Sequence, residues 1–364
     1  MKKSECTGCM ACYNVCPKNC IKMQEEFDGC YYPHVNMKDC IDCGKCRKVC
    51  PVLNRSQTKE DNEASNVYAG YCKDHITRQL SSSGAIFPLA AEWCIDKGGI
   101  VFGAEYQGVK VVHSSGANSF EIEKFKGSKY VQSDIATTYK EAERLLREGR
   151  YVLFTGLPCQ IEGLKSYLGK EYDKLYTIDL ICHGVGAPGI WKKYIHVFHK
   201  NKKITSINFR NKDAGWNHEQ FVMRFSDGTE YRKFPLEDYY TYGFNKNVFL
   251  REACYECKFK GIDRISDLTI GDAWGVERYV PRFRDDKGCS LIFVHSQKGK
   301  KLFADLAAKM QFAPADKEKA MQYNQRMISS APKSPYREQF YNNLKKYPFW
   351  LCMALMKHSR KNPQ

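Results

Sequence analysis

Four cysteines fall at Cys6-x-x-Cys9-x-x-Cys12-x-x-x-Cys16-Pro17, and four more repeat the spacing at Cys40-x-x-Cys43-x-x-Cys46-x-x-x-Cys50-Pro51. Three thiolates in one tight loop reach three irons of a [4Fe–4S] cubane. The fourth, just before a proline that turns the chain away, reaches across to the neighbouring cubane. The spacing therefore predicts two crossed ligand sets. Cys6, Cys9, Cys12 and Cys50 hold one cluster, and Cys40, Cys43, Cys46 and Cys16 hold the other. The chemistry of such a pair is transfer of single electrons.

Zinc is the weaker reading, because zinc sites use ligand pairs separated by a longer gap. Disulfides are weaker still. Met1-Lys2-Lys3-Ser4-Glu5 runs straight into the ligands with no apolar signal segment. Eighteen cysteines in such a chain point to metal ligation in a reducing cytoplasm. The formal net charge of +16 over 364 residues overstates the positive field. Each oxidised cubane with four thiolates carries about −2, which leaves about +12 with two clusters and about +10 with three. That remainder suits an acidic partner or a phosphorylated cofactor. No basic helix with interleaved aromatics is present, so nucleic acid is not an expected ligand. No apolar run approaches the roughly 18–20 residues that span a bilayer.

A second group of thiols needs other elements to bring it together. Gly156-Leu157-Pro158-Cys159-Gln160 follows a strand-like run and opens a helix. Leu180-Ile181-Cys182-His183-Gly184 ends another strand, and Cys254-x-x-Cys257 lies in an aromatic, basic loop. Strand ends of an α/β sheet converge on a ligand crevice. Cys159, Cys182, Cys254 and Cys257 are thus candidates for four thiolates around a third cluster. The C-x-x-C pair by itself leaves zinc or a redox pair open.

The elements that would position these groups follow from periodicity. Residues 1–54 read as a two-cluster ferredoxin module and residues 55–66 as a polar linker. Residues 67–345 alternate strand-like and helix-like segments, and 346–364 form an apolar tail with basic flanks. The predicted strands are 67–72, 100–106, 109–113, 151–154, 175–181, 204–210, 220–225, 229–234, 268–270 and 290–295. The predicted helices are 84–97, 137–148, 189–200 and 298–310. Asp227-Gly228 marks a hairpin. The expected fold is α+β/α/β: a small two-cluster ferredoxin domain plus a larger mixed α/β domain.

With these motifs placed, the chain resembles the coenzyme F420 hydrogenase/dehydrogenase beta-subunit family, in the form with a fused N-terminal two-cluster ferredoxin. The resemblance rests on residues 79–84, Lys126–Ser133, Gly156–Gln160 and Cys182-His183-Gly184. It extends through Phe209-Arg210-x-Lys212-x-x-Gly215-Trp216, Arg251-x-x-Cys254-x-x-Cys257 and Ser266–Gly275. It implies FAD with a [4Fe–4S] cluster beside it, so that the larger domain is a flavin and iron–sulfur domain. It implies flavin contacts from Ser82, Ser83 and Gly84 and from Gly127, Ser128, Lys129, Tyr130 and Gln132 on a strand, with Asp272 on a cofactor hydroxyl. Lys129 and His183 are the candidate catalytic residues, Lys129 near the flavin or a substrate anion and His183 as a proton donor. The plainer roles are a strand-edge lysine, helix-capping serines, a turn-forming aspartate and a histidine supporting Cys182. The chain departs from the family at Ala85, where a second glycine is common, and at Leu157, where a hydroxyl residue is common.

The resemblance implies an oxidoreductase that passes electrons between a carrier, either ferredoxin or the deazaflavin coenzyme F420, and FAD. Its substrate is expected to be a small molecule or lipid-linked sugar of surface-polysaccharide metabolism. The alternative is a non-catalytic electron-transfer subunit of a larger redox complex. Gly184-x-Gly186-x-x-Gly189 mimics a dinucleotide fingerprint, but 204–210 ends in Arg210 where an acid should stand, so a structural turn is expected. The tail at 349–356 reads as a terminal helix docked on the core, with membrane-surface contact as the other role for its basic flanks. Cys20, Cys30, Cys72, Cys94, Cys289 and Cys352 lack ligand spacing and are expected to be buried structural thiols.

Overall fold

The computed structural model describes residues 2–54 and 66–358. The proposed linker, apart from Asn66, and the last six residues of the tail lie outside the described residues. Thirteen strands are present among those described. They are β1 (Ile21–Glu25), β2 (Tyr31–Val35), β3 (Asn66–Cys72), β4 (Ile100–Gln107), β5 (Lys110–Gly116), β6 (Val152–Gly156) and β7 (Leu175–Leu180). The rest are β8 (Ile204–Asn211), β9 (Gln220–Phe225), β10 (Glu230–Lys233), β11 (Leu268–Asp272), β12 (Ser290–Val294) and β13 (Met310–Pro314).

Eight strands form one mixed sheet in the order β13-β3-β12-β11-β7-β6-β4-β5. Its centre is parallel: β11 on β7, β7 on β6 and β6 on β4. Antiparallel strands flank it on both sides. Central strands covered on both faces must be apolar on both faces, and β6 and β7 are buried nearly throughout. Alternation divides their side chains between two cores. Val101, Leu153 and Tyr176 face one layer with helices Ile86–Asp96 and Gln297–Leu306. Phe102, Val152, Phe154 and Leu175 face the other, with helices Thr138–Arg147 and Pro158–Leu168. The last helix starts where it does because Pro158 takes the first helical turn, where its missing N–H costs nothing, and the Gln160 side chain accepts from Leu157 N–H at 2.9 Å.

The first 54 residues form a small unit around the antiparallel β1–β2 pair. Helices Ala11–Val15 and Pro51–Asn54 pack on helix Pro158–Leu168, and Cys9, Met10, Ala11 and Val49 join the core beneath it. The two parts approach tightly at Gly163, where an added Cβ would stand 3.0 Å from that of Cys9. Any side chain there would push the ligand loop off the helix.

Three differences from the sequence-based expectation bear on the site. Strands β8, β9 and β10 form a separate antiparallel sheet, β10-β9-β8. The helix Pro188–His199 therefore does not return the chain to a parallel neighbour of β7, and no dinucleotide-binding βαβ unit follows Gly184–Gly189. Residues 127–133 are irregular backbone rather than a strand; the neighbouring Asp134 makes a single bridge to Val112. The edge strand β13 falls where a helix was expected to end. It satisfies β3, pairing Gly70 with Phe312 and Cys72 with Met310. The tail docks as helix Phe349–His358, burying Cys352, Met353 and Met356 against helices Tyr239–Asn245 and Arg337–Leu344. Among the described residues no helix is long and apolar enough to cross a membrane.

Candidate functional site

The parallel strands end at one edge of the sheet, and a cavity of about 680 Å³ opens there. Gly156 ends β6, Leu180 ends β7, and Gly271 and Asp272 end β11; all four line it. The first turn of helix Ile86–Asp96 and the irregular segment 125–131 close other sides. This is the switch-point crevice where α/β sheets take ligands.

Beside it lies a second cavity, of about 30 Å³. Cys159, Cys182, Cys254 and Cys257 all line it, joined by Thr7 from the N-terminal unit. Leu157, Cys182, His183, Gly184 and Val185 form walls of both cavities. The cysteines arrive by separate routes: the first turn after β6, the loop after β7, and the turn Glu252–Cys254 with the loop that follows. Burial pushes the Cys254 thiol up to about 12, with Cys182 and Cys257 adding repulsion. Burial raises Cys159 well above the usual thiol range, with Cys257, Cys182, Cys9 and Cys254 adding to it. Thiols crowded this way keep their protons unless a bound cation compensates. Two cations support the rim. Lys260 donates to the Cys182 carbonyl and, at 2.7 Å, to that of Arg326. Arg264 also lines the cavity. No three His, Cys, Asp or Glu among the described residues close on a single ion.

Among the N-terminal thiols, Cys6, Cys9, Cys12 and Cys50 lie close enough to act on one another. Burial pushes Cys9 up to about 12, with Cys6 and Cys50 adding to it. Cys12 is raised by burial and then by Cys9, Cys6 and Cys50. Cys50 thus stands with the first run, although it closes the second run in sequence. Cys16 packs with Cys20 and Ile21, and Cys40 and Cys46 from the second run pack against them together with Cys12 from the first. Cys20 sits 3.4 Å from Cys16, sulfur to sulfur, and is pushed up to about 11, mainly by that contact. It is buried, as expected, but adjoins a ligand position; Cys30 is buried in the same core cluster as Cys6, and Cys72, Cys94, Cys289 and Cys352 are buried as well.

Arg251 ties the two parts together. It is 1% exposed and donates to the Cys6 carbonyl at 2.6 Å, to Gln132 Oε1 at 2.8 Å and to the Tyr31 carbonyl at 2.8 Å. Its guanidinium lies over the Tyr32 ring, 4.3 Å from the centroid. Gln132 in turn donates to the Thr7 carbonyl at 2.8 Å.

The positions that the family resemblance assigned to the flavin divide. Ser82, Ser83, Gly127, Ser128, Lys129, Tyr130, Asp272 and His183 line the large cavity. Ser82 Oγ accepts from the Ser128 N–H at 2.9 Å, which joins the two segments. Gly84 and Gln132 stand outside that wall. Gly84 packs on strand backbone, where an added Cβ would meet Ser290 N at 2.6 Å, and Gln132 belongs to the Arg251 junction. Ala85, at the common glycine position, holds the left-handed backbone, φ +66°, that glycine adopts without strain. Lys129 is not on a strand, and it is half-buried on the cavity wall. Its Nζ donates to the carbonyls of Phe125 at 2.9 Å, Lys126 at 2.8 Å and Lys124 at 3.2 Å. Burial pushes its pKa down to about 7, against the pull of Glu105. His183 Nε2 bonds Asn247 Oδ1 at 2.6 Å, and burial lowers its pKa. Asp272 pairs with Arg210 Nη1 and accepts from Trp216 Nε1 at 3.3 Å. Trp216 stacks on Trp274, 4.8 Å between centroids.

Several wall residues carried no sequence signal for a role. His113 lines the cavity and meets the Thr155 carbonyl at 3.0 Å. Tyr323–Arg326 close the far side, and nothing in their types announces it. Arg210 and Trp274 fall within matching motifs, whose residue types do not reveal that they share a wall.

Two halves therefore meet at this edge: a small unit with paired cubane-type thiol sets, and a sheet whose strand ends carry a third thiol group beside a cofactor-sized cavity. Residues 5–54 match the 4Fe-4S dicluster domain, and residues 149–319 match the model for the C-terminal part of the coenzyme F420 hydrogenase/dehydrogenase beta subunit. The chain is an iron–sulfur protein of oxidoreductase type. Through residues 149–319 it is related to the coenzyme F420 hydrogenase/dehydrogenase beta-subunit family, with a dicluster domain at residues 5–54 on the N-terminal side. A chain of the F420-reducing [NiFe] hydrogenase complex from Methanosarcina barkeri is similar to it, at 15% identity and TM-score 0.47, covering 75% of this chain and 97% of that one.

Proposed function

We propose that the chain is an iron–sulfur flavoprotein oxidoreductase, relaying electrons between an external carrier and a substrate in the large cavity. The observation that carries this reading is the shared wall: Leu157, Cys182, His183, Gly184 and Val185 separate the four-thiol cavity from the large one. Cys159, Cys182, Cys254 and Cys257 hold a third [4Fe–4S] cluster, and the two N-terminal sets hold the others. The large cavity takes FAD. When bound, FAD couples two-electron chemistry to single-electron transfer.

The chain's own residues divide the remaining work. The start of helix Ile86–Asp96, at Ile86 and Phe87, lines the cavity, and a helix N-terminus there favours a pyrophosphate. Ser82 and Ser128 hold the two phosphate-side segments together. Lys129, with all three protons engaged by carbonyls, fixes the loop 124–129 and sets a cationic wall rather than acting as a free base. His183, held by Asn247, is the proton donor on the wall common to both cavities. Arg210, Asp272 and Trp274 form the opposite wall and orient the substrate, which is a deazaflavin of the F420 type, a small molecule or a lipid-linked sugar. Residues 1–54 serve as one domain, 55–66 as linker and 67–345 as the catalytic domain.

The test is Cys254→Ser/Cys257→Ser in anaerobically purified protein. Iron should fall by about four atoms per chain, with bound flavin and the N-terminal cluster signals retained. Unchanged iron content would remove the third cluster, and protein that takes up neither FAD nor FMN would remove the flavoenzyme reading.

A further inference from the structure

The thiol sets are arranged in depth. Cys6 and Cys9 are buried, Cys9 packs on Gly163 of helix Pro158–Leu168, and Thr7, between them in sequence, lines the third thiol cavity. The inner N-terminal set is thus the neighbour of the third set. In the outer set Cys43 is exposed, and Cys40 and Cys46 are half-buried.

Around Cys43 the surface has an unusual composition. Met37 is 73% exposed and Ile41 58% exposed, side by side with the exposed cations Lys38, Lys45, Arg47 and Lys48. Lys18 and Lys22 are exposed on the segments flanking Cys20. Among the described residues none of Lys38, Lys45, Arg47 and Lys48 forms an ion pair. Asp39 and Asp42 are the nearby acids, and Asp39 is engaged by Asn36 at 2.6 Å. A small apolar centre inside a ring of unpaired cations is the composition of a transient, electrostatically steered docking surface. A second copy of the same basic face would be repelled. An anionic membrane would meet the charges but has no electron to deliver to the exposed thiol at their centre.

We propose that this surface, centred on Met37, Ile41 and Cys43 and rimmed by Lys38, Lys45, Arg47 and Lys48, docks an acidic protein electron carrier. The inference rests on the reading that the outer set holds a cluster, and it adds the entry face and the partner's charge. The test uses anaerobically purified full-length protein, with iron content measured for each variant and an acidic two-cluster ferredoxin as the probe. Binding is followed by interferometry at about 0.05 M and about 0.5 M salt, either side of the ionic strength where the screening length falls below about 10 Å. The wild type should bind at low salt and lose affinity at high salt. K45E/R47E/K48E should weaken low-salt binding about tenfold or more. K97E/K301E/K309E, on the opposite face of the sheet, should bind as the wild type does. Iron-loaded protein that binds no ferredoxin, or a K45E/R47E/K48E variant that binds as the wild type, overturns the docking surface. Binding of phosphatidylglycerol vesicles in place of the ferredoxin assigns the face to a membrane and overturns it too. Wild-type protein without iron in residues 1–54 overturns instead the cluster reading beneath it.

Discussion

Arg251→Ala should loosen the N-terminal unit from the sheet without unfolding the sheet. The guanidinium makes three short charge-assisted hydrogen bonds, to Cys6, Gln132 and Tyr31, with almost no solvent access. Such bonds contribute about 1.5–3 kcal/mol each. They share one donor and do not add, and alanine leaves three buried acceptors unpaired, so the loss is about 3–5 kcal/mol. Two acceptors belong to the N-terminal unit and one to Gln132, itself bonded to Thr7. The loss therefore falls on the junction. Hydrogen exchange by mass spectrometry should show residues 5–15 and 30–35 exchanging about a hundredfold to a few thousandfold faster, following from about 1.4 kcal/mol per decade. Peptides covering β6 and β7 should hardly change. Arg251→Lys keeps the charge but loses the fork and should fall between. Unchanged exchange at residues 5–15, or acceleration spread evenly over the sheet, would refute the assignment of Arg251 as the tie between the two parts.

Lys129→Ala should release the carbonyls of residues 124–126 and weaken flavin uptake about tenfold or more, since each lost hydrogen bond to a charged group is worth about 1.5–3 kcal/mol; iron content should not change. If flavin titration shows wild-type affinity, Lys129 serves only the fold. His113 is buried and neutral, and burial pushes its pKa down to about 4 from an ordinary 6.5, against the Thr155 carbonyl. The unfolded chain binds the proton first, so stability held above pH 6.5 is lost as pH falls toward 4. The full change is about 3 kcal/mol. His113→Gln should flatten that slope in melts recorded over the window, and an equal slope in both proteins would count against a buried neutral imidazole. Gly163→Ala should displace the Cys9 loop and reduce iron retained on dilution, whereas Gly149→Ala, with only Lys174 nearby, should leave iron unchanged.

The dicluster domain was legible because the spacing of its cysteines is itself a ligand geometry. Strands β6 and β7 were legible as buried strands because they are mostly apolar, although β7 also buries Thr177 and Asp179. The placement of 189–200 and 204–210 shows where local pattern stops. Both elements form almost as expected, yet β8 pairs with β9 in another sheet, a choice made by tertiary packing. Residues 127–133 look strand-like from Tyr130 and Val131, but their backbone bonds go elsewhere: Gln132 N–H to the Gly186 carbonyl at 3.0 Å. Arg251 stands three residues before a ligand position and reads as one more basic residue of that loop. Its role depends on contacts 119 to 245 residues away in sequence, which no local pattern encodes.

The central claim is a chain with three cubane sites and one flavin. Anaerobic purification of the full-length protein after growth with iron, followed by iron, sulfide and extracted-flavin determination on one sample, tests it most directly. Three cubanes require about twelve irons and about twelve sulfides, four of each per cubane, together with one FAD per chain. About eight irons with no flavin, even after incubation with FAD, would contradict the claim and leave an electron carrier with an empty crevice.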